Sequence, residues 1–247
     1  LARSFAMAVN RLLDREWDGQ NPRTANRHLP ARLLRVGEVA WFAIGCGLLF
    51  IASTLLFLPN RLPLILSVPV LLFLGGYSLG KRFTWLVHVW LGVALMLAPI
   101  CAWIALRGQI VEQDPRDILP ALSLGLVVLF WVSGFDILYA CQDAQFDRQV
   151  GLHSIPARFG VRGALRIARA LHFLMWLLAF GLTFWCPELS LGTLFRFSLL
   201  GVGILLIYEH SAVSEGSLDR MQLAFFQLNS IISVVILVAG GLDTWLG

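Results

Sequence analysis

The chain has 247 residues, 58% of them hydrophobic and only 14% charged, with a formal net charge of +4 and a mean hydropathy of +0.77. That composition excludes an ordinary soluble domain and implies a polytopic protein embedded in a lipid bilayer. The positive excess fits the positive-inside bias of membrane proteins; no basic tract of the nucleic-acid type is present, so no nucleic-acid partner is expected.

The chain opens on "LARSFAMAVN", with Leu1 first. It lacks the basic region, apolar core and cleavage site of a signal peptide. The stretch reads as the last turns of a helix whose beginning is absent, so an N-terminally truncated fragment is expected. Seven apolar stretches follow, each close to the roughly 17–25 residues that cross a bilayer. They are 37–57, 62–80, 85–106, 118–139, 164–185, 190–209 and 223–243. Pro69, Gly75, Gly76 and Pro99 lie inside them, as transmembrane helices tolerate. Trp41, Trp85, Trp185 and Trp245 fall near their ends, where amphipathic rings favour the interface. The expected fold class is all-α: a polytopic transmembrane bundle of seven full spans behind the truncated N-terminal helix, forming a single domain over 1–247.

Isolated polar residues inside this pattern have bland readings. Cys46, Cys101, Cys141 and Cys186 lie far apart without a CxxC pairing and read as small packing residues. His88 and His172 lie on apolar runs and read as hydrogen-bonded packing or interface residues. Arg196 reads as a snorkelling side chain, and Asp243 carries no assigned role.

The connections between spans alternate in charge. Residues 11–36 hold Arg11, Arg15, Arg23, Arg27, Arg32 and Arg35; Lys81 and Arg82 come two spans later; Arg148, Arg158 and Arg162 lie in 140–163; Arg220 lies in 210–222. The intervening connections hold only Arg61, Arg107 and Arg116. Excess Lys and Arg mark the cytoplasmic side. The basic connections are therefore expected on that face, together with two acidic clusters.

The first cluster is "NRLLDREWD", with Asn10, Asp14 and Asp18 at i, i+4 and i+8. At about 100° per residue they fall within roughly 80° on one helix face. The second is "DILYACQDAQFD", with Asp136, Tyr139, Asp143 and Asp147. Its aspartates fall within about 40° on a continuous helix, but Asp136 lies roughly 10 Å deeper than Asp143. One ion cannot bridge all three on a straight helix. Either the helix breaks, or Asp136 and Tyr139 serve a deeper part of the site.

One such Asp pair at a helix end is usually a solvated face. Two on the same side, with basic companions, point to a site. Five gathered carboxylates repel one another unless cations bind. Oxygen-rich, sulfur-free ligands suit Mg²⁺, commonly held by a few carboxylates together with substrate phosphates. Divalent cations on a diphosphate convert it into a good leaving group, and Lys81, Arg82 and loop arginines such as Arg23 and Arg148 could neutralise the rest.

These residues resemble the UbiA superfamily of intramembrane prenyltransferases. Asn10, Asp14 and Asp18 match its NxxxDxxxD motif, and Asp136, Tyr139, Asp143 and Asp147 match DxxYxxxDxxxD. "NPRTANRHLP" (21–30), "GKRFT" (80–84) and "GLHSIPARFG" (151–160) resemble the accompanying segments, so the likeness spans essentially the whole chain. The resemblance implies nine transmembrane helices around a central cavity, capped by the aspartate loops. It implies Mg²⁺ bound by Asp14, Asp18, Asp143 and Asp147, with Asn10 as an oxygen donor or orienter. It also implies a polyprenyl diphosphate donor contacted by Lys81, Arg82, Arg23 and Arg148, and an aromatic acid acceptor. Asp136 and Tyr139 would complete the metal site or stabilise the allylic cation.

The nearest branch is that of 4-hydroxybenzoate polyprenyltransferases in quinone biosynthesis, with hydroxynaphthoate prenylation in menaquinone pathways as the alternative. The expected location is a bacterial-type inner membrane, with the active site facing the cytoplasm. Counted back from Asn10, the family's first helix and most of its second are missing. A non-catalytic fragment and an ion-coupled transporter are the remaining readings. The transporter predicts acids spread along a path rather than gathered at one face. A CDP-alcohol phosphotransferase would carry a compact DGxxAR-type motif, which is absent.

Overall fold

A computed structural model describes residues 1–212 and 218–246, with side chains for 1–211 and 227–246. Arg220 and the start of the expected 223–243 span fall outside the described side chains. Among the described residues the chain is helical, with no strand. The helices are α1 (Ala2–Gln20), α2 (Val36–Thr54), α3 (Leu62–Gly76), α4 (Val87–Gln113), α5 (Leu119–Ala140), α6 (Ala144–Gln149), α7 (Ile155–Trp185), α8 (Thr193–Ala212) and α9 (Leu218–Leu246).

Seven segments among the described residues are long and apolar enough to cross a membrane: Val36–Phe57, Leu62–Arg82, Val87–Gln113, Pro115–Gln149, Ile155–Trp185, Thr193–Ser211 and Gln227–Leu246. Each overlaps an expected span, with Pro115–Gln149 running ten residues beyond the expected end at 139. Their outward surface is apolar: Leu56, Leu106 and Trp245 are each more than 80% exposed. Such a surface is at home in lipid and unfavourable in water. The chain is an integral membrane protein.

Backbone chemistry sets the breaks. Asn60 donates to the carbonyls of Ile104 and Ala105 and accepts from the Leu62 amide, fixing the start of α3 against α4. Ser154 Oγ accepts from the Ala157 amide at 3.2 Å and Pro156 fills the first turn of α7. This is a favourable helix start, because a capping oxygen satisfies an orphan donor and proline has no amide proton to satisfy. Ser154 is thus a cap, and α7 begins nine residues before the expected 164. It is interrupted at Gly160, whose φ of 71° is a left-handed conformation open to glycine.

Two close approaches place α5 between α4 and α7. A Cβ at Gly92 would lie 2.2 Å from Ser133 Oγ and 2.6 Å from the Leu129 carbonyl; one at Gly134 would lie 2.3 Å from the His172 ring. Small residues at such crossings let helices pack without the hydrophobic drive that water supplies. Beneath the polar end, Ile137, Leu138, Cys141, Ile155 and Ala168 form a buried cluster joining α5 to α7. At the other edge, Phe5 of α1 lies against Gly47 of α2 and Gly75 of α3. This seats α1 with its acidic C-terminal half beside the end of α5.

Candidate active site

The helix through the second acidic cluster tightens partway along it. α5 stops at Ala140, a tight turn follows over Cys141–Asp143, and α6 carries Asp147. The turn places Asp143 and Asp147 in a different element from Asp136. Both acidic clusters line one polar cavity of about 160 Å³. Asn10, Asp14 and Asp18 face it from α1; Asp136 and Tyr139 face it from α5, Asp143 from the turn and Asp147 from α6. Arg23, Lys81 and Arg82 also line it.

Most of the carboxylates have assigned companions. Arg23 spans Asp143: Nε donates to Oδ1 at 2.9 Å and Nη2 to Oδ2. Its Nη1 donates to Tyr139 Oη at 3.0 Å, and its guanidinium lies 5.1 Å from the Tyr139 ring centre. Asn21 adds a donor to Asp143 at 3.0 Å. Lys81 Nζ sits 3.2 Å from Asp147 Oδ2, and Arg27 Nη1 donates to Asp18 Oδ1 at 2.7 Å. Asn10 Nδ2 donates to Asp14 Oδ2 at 2.6 Å. Burial, followed by the Asp18 charge, pushes the Asp14 carboxyl up to about 6.

Two of the expected phosphate contacts donate to backbone carbonyls. Arg82 lines the cavity while Nη2 donates to the Leu13 carbonyl at 2.8 Å, tying α1 to the end of α3. Arg148 is not on the cavity wall. Its Nη2 donates to the Pro156 carbonyl at 3.3 Å, because α6 turns that face toward the start of α7. Arg158 lies over the Trp85 and Phe159 rings. His153 donates its amide to the Lys81 carbonyl at 2.7 Å, pinning the α6–α7 connection to the lysine's backbone.

Several site residues escaped the sequence reading. Asn21 lies in the 21–30 segment, where nothing in composition singles it out. Tyr77 lines the cavity from the turn after α3. His88, expected as a packing residue, is 1% exposed and bonds Asp136 at 2.6 Å. Its only sequence signal is a polar side chain in the first turn of an apolar helix, close to the basic pair.

A second, larger space adjoins the first. An apolar chamber of about 750 Å³ lies among α1, α2, α3 and α4, lined by Met7, Leu74, Leu91 and Leu95 among others. Asn10 and Tyr77 belong to both walls.

The polar cavity fits a divalent cation. Asp18 Oδ2 is buried without a hydrogen bond; its nearest cation is Arg11 Nη1 at 3.6 Å. Among the described lining residues, five carboxylates outnumber the four Lys and Arg side chains. A multiply charged anion is therefore repelled unless cations are added. No group of three carboxylate, imidazole or thiol side chains among the described residues stands close enough to enclose an ion alone.

An aspartate-lined polar cavity beside an apolar chamber within a helical bundle has the chemistry to hold an amphiphile with a charged head. The profile of the UbiA prenyltransferase family matches residues 1–231. The chain is 32% identical over 228 residues to the 4-hydroxybenzoate octaprenyltransferase of Tolumonas auensis, covering 92% of this chain and 75% of that protein. It is 31% identical over 194 residues to the enzyme of the same name from Burkholderia cenocepacia, covering 75% of this chain and 64% of the relative's length. The apo structure of a UbiA homolog from Aeropyrum pernix K1 superposes with a TM-score of 0.85 at 28% identity, covering 98% of this chain and 86% of that one. The chain belongs to the UbiA prenyltransferase family, and its enzyme class is prenyltransferase.

Proposed function

We propose that this protein transfers a polyprenyl group from a polyprenyl diphosphate to 4-hydroxybenzoate, in a Mg²⁺-dependent step of quinone biosynthesis. The observation that carries the reading is the shared wall of the two cavities. Asn10 and Tyr77 line both a charged compartment and an apolar one, and a diphosphate with a long isoprenoid tail needs two such compartments side by side. The acceptor rests on the names of the relatives in Tolumonas and Burkholderia.

Asp14, Asp18, Asp143 and Asp147 would hold Mg²⁺, with Asn10 orienting Asp14. The bound cation supplies positive charge that makes diphosphate a better leaving group. Arg23 and Lys81, lying against Asp143 and Asp147, are placed to exchange those carboxylates for phosphate oxygens. Arginine's planar fork suits phosphate as well as carboxylate. Tyr139 and Asp136 lie below, where a ring face and a carboxylate stabilise positive charge on the allylic carbon.

The cavity lies on the side of the basic connections, which supports a cytoplasm-facing site in a bacterial-type inner membrane. The test is product formation in membranes carrying the chain, given a polyprenyl diphosphate and 4-hydroxybenzoate with and without Mg²⁺. Prenylated 4-hydroxybenzoate only with Mg²⁺ is the expected result. Product from a hydroxynaphthoate alone would reassign the acceptor.

A further inference from the structure

We propose that His88 is a positioning residue for the transfer reaction: it holds Asp136 with one carboxylate oxygen turned into the cavity to take the proton that the aromatic ring loses. The inference rests on the prenyl-transfer reading above and assigns a part to a residue whose sequence pattern implies only packing.

The hydrogen-bond network fixes the imidazole. His88 Nε2 accepts from the Ile155 amide at 3.3 Å. With that lone pair occupied, the proton of the neutral ring lies on Nδ1, which donates to Asp136 Oδ2 at 2.6 Å. Three elements meet there: the first turn of α4, the last third of α5 and the start of α7. His88 is 1% exposed, and the Asp136 side chain is 18% exposed. The pair is therefore a buried imidazole behind a carboxylate that reaches the cavity beside Tyr77 and Tyr139. Asp136 Oδ1 has no hydrogen-bond partner among the described residues. A carboxylate at this depth needs a partner to stay in place; His88 supplies it at Oδ2, and Oδ1 stays available to a molecule in the cavity.

The step balances without a further reagent. The allylic C–O bond breaks and its electrons leave with diphosphate. A ring carbon of the acceptor forms the new C–C bond. The C–H bond at that carbon then breaks, its electron pair restores the aromatic ring, and the proton passes to Asp136 Oδ1. An acceptor oxygen held at a defined point is what makes such a transfer efficient. A hydrogen-bonded partner behind it sets that point.

Two polar substitutions separate the two contacts of His88. In His88→Asn the amide nitrogen stands near the position of Nδ1 and keeps the donor to Asp136. In His88→Gln the longer side chain reaches the position of Nε2, keeps the Ile155 contact, and leaves Asp136 unheld. Turnover is measured with 4-hydroxybenzoate carrying hydrogen or deuterium at the ring positions flanking the hydroxyl. His88→Asn is expected to stay within about fivefold of the parent, and His88→Gln to lose about 100-fold in kcat with the KM for the diphosphate nearly unchanged. Slowed proton removal in His88→Gln should also produce a primary isotope effect absent from the parent. Equal losses in the two variants, or no isotope effect in His88→Gln, would overturn the role of His88. Absence of prenylated product from the parent itself would instead overturn the prenyl-transfer reading, and this inference with it.

Discussion

Arg23 and Asp143, 120 residues apart in sequence, form a two-pronged ion pair that joins the segment after α1 to the turn between α5 and α6. The same guanidinium reaches Tyr139, so one side chain links both depths of the site. Replacing Arg23 with Ala should lower kcat/KM for the diphosphate by about 10² to 10³-fold. Arg23→Lys should recover only part, because a point charge cannot reproduce the fork. Asp143→Ala should abolish turnover while the melting profile stays cooperative. Steady-state kinetics on the three variants check this; parity of the Lys and Arg proteins would count against a forked contact.

Asp14 gives a pH signature in the absence of divalent cations. Its folded-state value is raised from 3.8 to about 6, so the folded protein holds this proton more tightly than the unfolded chain. The stabilising contribution is complete below the unfolded value and is lost as pH rises through the folded one. Asp14→Asn keeps position 14 uncharged at every pH. It should melt above the parent at about pH 7.5 and match it near about pH 4, in buffer with a chelator. Adding Mg²⁺ should raise the parent's melting temperature more than the variant's, since a ligand that binds only the folded state stabilises it. An offset that does not change with pH would contradict the assignment.

Much of this architecture was legible from pattern alone. The seven spans follow from long apolar runs, because a bilayer admits only backbone that satisfies itself. The aspartates announced themselves by period and number. What the sequence could not show was partnership at long range. Asn21 and His88 are ordinary by composition; their meaning comes from Asp143 and Asp136, brought near by packing of α1, α4 and α5. Arg148 misled for the converse reason. It sits next to a site aspartate in sequence, but the helix turn of α6 sends it to Pro156.

The crossing of α5 and α7 should be intolerant of volume. A Cβ at Gly134 would meet the His172 ring at 2.3 Å, and overpacking of this kind costs about 1–3 kcal/mol or more. Gly134→Ala should lower the melting temperature in detergent, and Gly134→Val should prevent accumulation of folded protein. A neutral Gly134→Ala would mean that the two helices are further apart than described.

Asp243, which carried no role in sequence, closes the start of α8. Its carboxylate accepts from the amides of Gly192 at 2.8 Å and Phe195 at 2.7 Å. Loss of such a cap costs about 0.5–2 kcal/mol. Asp243→Ala should therefore melt lower while kcat and KM remain those of the parent, since this cap belongs to none of the cavity walls described for the site. A fall in kcat without a fall in stability would show that the two ends of the bundle are coupled.

The central claim is that the two acidic clusters act together as one metal-dependent diphosphate site. Calorimetric binding of an unreactive prenyl thiodiphosphate to the purified chain, with Mg²⁺ and with a chelator, tests it most directly. Binding that requires Mg²⁺ and disappears both in Asp18→Ala, from the first cluster, and in Asp147→Ala, from the second, is the predicted result. Binding of equal affinity in the presence of chelator, or binding that survives both substitutions, would contradict it.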